Sequence, residues 1–358
     1  MKKYFIYFVV GLISLAMGLT GIGCEKTSVE TAAKTAMGTP ETTVAETTMI
    51  EEIEKQETEV AEDITIGLSM SGVNVPYFVT FTKVYKEQCD ALGINLIMTV
   101  ADWDPVKQAN QVDDLMSQNV SAIVVVPADA SAIVAPIKKA REAGFIVVSS
   151  NVMPNQEGLQ YINAFTGPSC WEQAKILAEY AVSNLKKTGK MDDGGFIVEI
   201  TGTPSTSAAI DRAGGFREKL TQLSPDIKIL ASQPSNWMKE KAYSVMQDFI
   251  VAYGNKIDAV HAHDDASAAG AIQAIEEAGY KPGTDILVWG YGASIEGIKN
   301  IQDGKMNATI AQPPSFDAKL SVNVTLRLIN GEQVPAFNYM EMPVVDINNV
   351  EEFAPGEW

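Results

Sequence analysis

Histidine and cysteine are scarce in this sequence: His261 and His263 are the only histidines, and Cys24, Cys89 and Cys170 the only cysteines. The histidines stand two apart on an apolar stretch that reads as a strand, so both point to one face. Two imidazoles alone make a poor metal site, which normally takes three or four ligands. They are expected to pack at a strand end, with His263 near any cleft there; no metal and no cofactor is expected. Also absent are a G-x-S-x-G elbow, a G-x-x-x-x-G-K-S/T loop and an H-E-x-x-H pair, which leaves no support for an enzyme. Without a phosphate-binding loop, any ATP hydrolysis belongs to a partner. Basic side chains are outnumbered: 27 Lys and Arg face 45 Asp and Glu, for a formal net charge of −18. Binding nucleic acid needs clustered Lys and Arg, and adhesion to anionic lipid needs the same. Both partners are excluded.

Charge is missing altogether from Tyr4 to Gly23, between the basic start Met1-Lys2-Lys3 and Cys24. A basic n-region, an apolar run and small residues before a cleavage point make a secretory signal. Cys24 after Gly21 and Gly23 resembles the lipobox of bacterial lipoproteins, in which the cysteine is acylated and becomes the new N-terminus. Gly21 stands where that family usually has Leu. The alternative is an uncleaved membrane span, since about 20 apolar residues cross a bilayer. Either way the remainder is extracytoplasmic and tethered to the cell membrane. Glu25–Glu62 has no aromatic residue and ten carboxylates against Lys26, Lys34 and Lys55. Such a segment buries too little apolar surface to offset its ordering entropy, and a disordered acidic linker is expected over 25–62. Cys89 and Cys170 are expected as buried free thiols on different lobes.

From about Asp63 onward the chain alternates Val/Ile-rich runs with amphipathic segments, which predicts parallel sheets covered on both faces by helices. Strands are expected at Ile64–Met70, Asn95–Val100, Ala122–Ala128 and Phe145–Asn151, and again at Phe196–Thr201, Ile227–Ala231, Ala259–Ala262, Ile286–Trp289 and Ala308–Gln312. Helical periodicity fills the intervals, with Gly93, Gly144 and Gly331 as stops. The length exceeds what one core usually holds, so two doubly wound α/β lobes are expected, with a ligand crevice at the carboxyl ends of the strands.

Five motifs in order carry a family resemblance. Ser71-Gly72-Val73-Asn74-Val75-Pro76-Tyr77-Phe78 is similar to an N-P-(Y/F)-(F/W) turn. Val125–Asp129 is similar to a third-strand end, and Ser205–Phe216 to a helix start reading R-x-x-G-F. His263-Asp264-Asp265 with Ala268–Ala271 resembles N-D-x-x-A-x-G-A. Asp303–Pro313 resembles D-G-x-x-x-A-T-I-A-Q. Together they resemble the ribose- and galactose-type extracytoplasmic solute-binding proteins of sugar ABC transporters, with the type 1 periplasmic-binding fold. The resemblance implies two lobes joined by a three-strand hinge: 63–165 with 313–340, and 166–312 with 341–358. It further implies a carbohydrate or derivative bound between them by a monomer, and delivery to an ABC permease. A sensory receptor for chemotaxis or a two-component kinase, and a binding protein for a nucleoside or signal molecule, are the alternatives.

A sugar shows apolar C–H faces and a rim of hydroxyls, so aromatics and side chains with paired donors or acceptors are the candidates. Tyr77, Phe78, Trp103, Trp237 and Tyr291 are placed to stack, with Trp289 as a further aromatic. Asn74, Asp102, Asn151, Arg212, Asp264 and Gln312 are placed to hold the rim. Arg212 could instead brace its helix, and Asp102 and Asp129 could cap theirs. Three positions depart from the family pattern. Asn151-Val152 replaces Asp-Arg, Ile210 replaces a ligand-binding Arg, and Gly292 replaces a strand-end Asp. Lost bidentate partners, and the space expected beside Gly292, point to a ligand larger or less hydroxylated than a simple pentose.

Overall fold

A computed structural model describes residues 64–191 and 194–358. Cys24, its signal and the 25–62 segment lie outside them. Among the described residues no helix is long and apolar enough to cross a membrane.

The described chain forms two α/β lobes, each built on a six-stranded sheet. The first sheet has the order β11-β5-β4-β3-β1-β2 and is parallel throughout. Its strands are β1 (Thr65–Met70), β2 (Asn95–Val100), β3 (Ala122–Val125), β4 (Ile146–Ser150), β5 (Ala164–Gly167) and β11 (Phe337–Tyr339). Helices α1 (Pro76–Ala91), α2 (Pro105–Met116) and α3 (Val134–Glu142) follow the first three strands. The second sheet has the order β12-β10-β9-β8-β6-β7. It holds β6 (Phe196–Thr201), β7 (Lys228–Pro234), β8 (Ala259–Ala262), β9 (Leu287–Gly292), β10 (Ala308–Ala311) and β12 (Val344–Asp346). Helices α4 (Cys170–Lys187), α5 (Ser207–Leu223), α6 (Lys239–Tyr253), α7 (Asp265–Glu277) and α8 (Ile295–Gln302) belong to it. Helix α9 (Pro314–Ile329) returns to pack on α1, β4 and β5.

Alternation within the strands supplies both faces. In β3, Val124 packs with Leu68, Phe81 and Val322, while its neighbours Ile123 and Val125 pack with Leu115 and Ile137. In β9, Val288 joins Met246 and Ile272, whereas Leu287 and Trp289 join Leu177 and Phe216. Apolar burial on both sides is why these strands read as near-continuous Val/Ile runs. Helix ends follow local chemistry as well: Asp104 caps α2 at the amides of Val106 and Lys107, and Thr206 caps α5 at Ala209. Gly93 and Gly144 lie at φ +69° and +93°, the left-handed turn that ends a helix.

Three strands are additional to the expected set: β5, β11 and β12 are only three or four residues long, too short for a period-2 signature. β12 also runs antiparallel to β10, unlike the parallel arrangement expected. β9 runs on through Tyr291 and Gly292, past the expected end at Trp289, which puts Gly292 at the strand end as expected. Cys89 and Cys170 are buried and free.

Candidate functional site

A cavity opens between the lobes at the carboxyl ends of both sheets, with about 680 Å³ of non-atom space, part of it continuous with solvent. Contacts bridge the lobes around it: the Ala130 amide donates to the Ser205 carbonyl (3.0 Å), and the Met153 amide to Ser207 Oγ (2.8 Å). Nine of the eleven ligand-contact candidates line the cavity: Tyr77, Phe78, Trp103, Asn151, Arg212, Trp237, Asp264, Tyr291 and Gln312. Asn74 and Asp102 do not. Asn74 Oδ1 accepts the Trp103 Nε1–H at 2.7 Å, so it fixes the ring from behind. Asp102 pairs with Lys107 at 2.6 Å on an exposed surface; neither rim nor cap, it leaves the capping of α2 to Asp104. Asp129 does not cap a helix either: it accepts from the amides of Ser131 and Ala132 in the turn that precedes α3, whose N-cap is Ile133. Trp289 is core: it is fully buried, and its Nε1 donates to Asn184.

The two lobes present tryptophans in the same way. Trp103 follows the edge strand β2 and Trp237 follows the edge strand β7; each has positive φ, 64° and 65°. Each indole packs against a glycine just past the end of the adjacent strand. A Cβ on Gly72 would come within 2.4 Å of Trp103, and one on Gly202 within 2.0 Å of Trp237. Only glycine leaves room for either ring. Trp103, Phe78 and Tyr77 form one aromatic wall, with ring centroids 5.6–6.2 Å apart along it. Trp237 and Tyr291 belong to the opposite one.

Arg212 unites the two roles that its sequence position left open. Only 5% exposed, it donates to the His263 carbonyl (2.6 Å), Gln173 Oε1 (3.0 Å) and Gln312 Oε1 (2.7 Å). Its guanidinium lies 4.4 Å from the Tyr291 ring centroid and 6.0 Å from that of Trp237, within cation–π range. It therefore braces three elements while lining the cavity, and its Nε has no partner among the described residues. Asp264 caps α7 at the Ser267 amide (2.9 Å), and burial raises its carboxyl above the ordinary range.

Asp317, in the first turn of α9, escaped sequence reasoning. Fully buried, its Oδ2 accepts from both Tyr77 Oη and Asn151 Nδ2 at 2.8 Å, while its Oδ1 has no partner among the described residues. Burial pushes this carboxyl up to about 6, against the pull of those two donors. The available signal was a carboxylate three residues after Pro314 of Gln312-Pro313-Pro314, but in a helix's first turn it reads as a dipole partner.

Glu199 was also missed. From the middle of β6 it meets both histidines, with its Oε1 3.3 Å from His261 Nδ1 and 3.5 Å from His263 Nε2. A buried charge inside an apolar strand must be paired, which was the signal to follow. The histidines are thus not an isolated pair. Two imidazoles and a carboxylate within 4.8 Å of one another are a donor set of the metal-binding type. Here the second carboxylate oxygen is held by Arg217 and Ser232 Oγ, and Phe216 stacks on His261 at 3.8 Å. Burial drives His261 down from its ordinary value and His263 to about 4, so both are neutral near pH 7. His261 Nε2 and the Tyr291 hydroxyl lie 2.8 Å apart, joining this cluster to the cavity wall.

The space expected beside Gly292 is filled. Trp358 lies against it: a Cβ at 292 would be 2.5 Å from the indole, and φ there is +138°. The inference of a larger ligand therefore loses its footing.

An aromatic-walled cavity between two α/β lobes, floored by strand ends and helix N-termini, defines a two-lobed ligand-binding protein. The chain belongs to the periplasmic binding protein domain family, whose match covers residues 66–333. It is 30% identical over 273 residues to the ribose import binding protein RbsB of Bacillus subtilis (strain 168), covering 76% of this chain and 84% of that one. It is 32% identical over 264 residues to the galactofuranose-binding protein YtfQ of Escherichia coli K12, covering 72% and 80%. Among solved structures it resembles the periplasmic binding protein component of the arabinose ABC transporter from Shewanella sp. ANA-3, bound to L-arabinofuranose. That likeness has a TM-score of 0.73 at 26% identity, over 80% of this chain and 93% of that one.

Proposed function

We propose that this protein is an extracytoplasmic sugar-binding lipoprotein, held at the membrane through Cys24, that delivers its ligand to an ABC permease. In this reading the lobes divide near residues 165, 312 and 340; the change of sheet after β5, β10 and β11 supports it. The observation that carries the reading is the pairing of Trp103 and Trp237 on opposite lobes of one cavity that also holds Arg212, Asn151, Asp264 and Gln312. Aromatic faces cover the C–H faces of a sugar, and the polar groups converge on its hydroxyls. The relatives named for ribose, galactofuranose and arabinose support the ligand class. The mechanism is capture: ligand bridges both walls and so favours the closed form over the open one. No residue in the cavity has a chemical step to perform.

The test is a thermal-shift and calorimetric screen of D-ribose, D-galactose, D-allose, D-xylose, L-arabinose and myo-inositol on the full chain. A ligand at 100 times its Kd adds about 2.7 kcal/mol of stability. Trp237→Ala should weaken the best ligand by about 1–3 kcal/mol, as expected for an aromatic contact at a desolvated site. No shift with any sugar refutes the ligand class; unchanged affinity in the variant assigns Trp237 to packing.

A further inference from the structure

The segment after β12 ends in a side chain that the proposed ligand would meet. Phe353 and Ala354 pack against the second lobe's core. Gly356 (φ +87°) passes so close to α8 that a Cβ there would be 2.7 Å from the Ile295 amide. The Ile295 amide then donates to the Trp358 carbonyl at 2.7 Å, and Glu357 Oε1 accepts from the Ser315 amide of α9 at 3.3 Å. These bonds fix the backbone on the second lobe and touch the first. The indole itself crosses the cleft, meeting Tyr77 edge-to-face at 5.3 Å and covering Gly292. Its Nε1 is buried without a partner among the described residues, and the residue lines the cavity. Arg212 Nε shares that condition. A buried N–H left unpaired costs free energy comparable to a lost hydrogen bond, so both donors call for an acceptor.

We propose that Trp358 is a specificity-determining residue of the sugar site. It offers its indole N–H to an acceptor oxygen of the ligand, and its ring fills the room beside Gly292, limiting the site to one compact sugar ring. This rests on the sugar-binding reading above. It replaces a short side chain on the strand with an aromatic one borrowed from a distant segment, so the wall at this point donates where a carboxylate would accept.

The experiment uses the full chain, with Trp358→Phe, Trp358→Ala and 5-fluorotryptophan labelling. Calorimetry is run with whichever monosaccharide of the six-member screen binds wild type, and with its O-methyl glycosides. Trp358→Phe keeps an aromatic face but loses the N–H, and should lower affinity about 3- to 10-fold, the worth of one hydrogen bond. Trp358→Ala should lose more for the parent sugar, while the ratio of O-methyl glycoside to parent affinity rises. In the labelled protein the resonance that Trp358→Phe removes should shift when sugar saturates wild type. That reading needs no folded Ala variant. Unchanged affinity in Trp358→Phe together with an unmoved resonance overturns the role of Trp358 and leaves the sugar-binding reading intact. A wild type that binds no sugar overturns both.

Discussion

Replacing Asp317 with Asn should make the protein more stable at neutral pH. The carboxyl titrates near 6 in the fold against an ordinary value of 3.8. The sign follows from proton binding. Between those values the folded state holds a proton that the unfolded state has released, so stability falls as pH rises from 3.8 through 6. Above 6 the ionised carboxylate costs the fold about 3 kcal/mol, from 1.36 kcal/mol per pH unit of difference. Asn cannot ionise. Its amide oxygen accepts from Tyr77 and Asn151 as Oδ2 does at 2.8 Å, and its amide nitrogen takes the position of the unpaired Oδ1. Asp317→Asn should thus gain up to ~3 kcal/mol over wild type at pH 7.5 and nothing at pH 3.5. Urea unfolding of both proteins at half-unit pH steps measures it. A stability difference independent of pH, or an Asn variant less stable than wild type at pH 7.5, refutes this account.

His263 should work in the opposite direction. Its folded value of about 4 lies below the ordinary 6.5, so the unfolded state takes up a proton first and stability is lost as pH falls from 6.5 to 4. His263→Gln should flatten that decline by up to ~3 kcal/mol in the same urea series; an unaltered slope means that His263 is not the titrating group. Gly202→Ala places a methyl 2.0 Å from Trp237, so the ring must swing away and affinity for the bound sugar should fall about tenfold or more, read by calorimetry with folding checked by circular dichroism. Cys24→Ser should release the protein from the membrane or block its processing, followed by fractionation and mass spectrometry; retention of a normally processed variant argues against acylation there.

The legible part of this protein is the part built from periodic elements. Trp103 and Trp237 could be placed because each stands three residues after a strand, and Tyr77 and Phe78 because they open the helix that follows β1; in a doubly wound sheet those positions face the crevice. Asn151 and Gln312 follow β4 and β10 for the same reason. Asp102 failed because the turn after β2 bends back: with Asp102 and Trp103 both at positive φ, only the tryptophan turns inward. Trp358 carried no signal at all. It comes after the last strand, in a segment containing Pro355 and Gly356, and only its tertiary path shows where it goes. Gly292 was therefore read correctly as a missing side chain and wrongly as a missing volume. Glu199 and Asp317 were hidden differently: each sits inside an ordinary strand or helix, and what makes them unusual is their partners.

The order in which the sheets are completed bears on how such a chain is made. β11 closes the edge of the first sheet beside β5, and β12 closes the second beside β10, yet they lie within ten residues of each other, 337–339 and 344–346. Helix α9, which covers β4 and β5, comes just before them. A ribosome that has released everything up to residue 313 has therefore supplied neither lobe with its last edge strand, and has withheld a helix from the first. Unpaired edges and uncovered apolar faces keep a chain from settling. Neither lobe can therefore complete its sheet until residues 337–346 have emerged, and the two lobes are bound to finish folding together rather than one after the other.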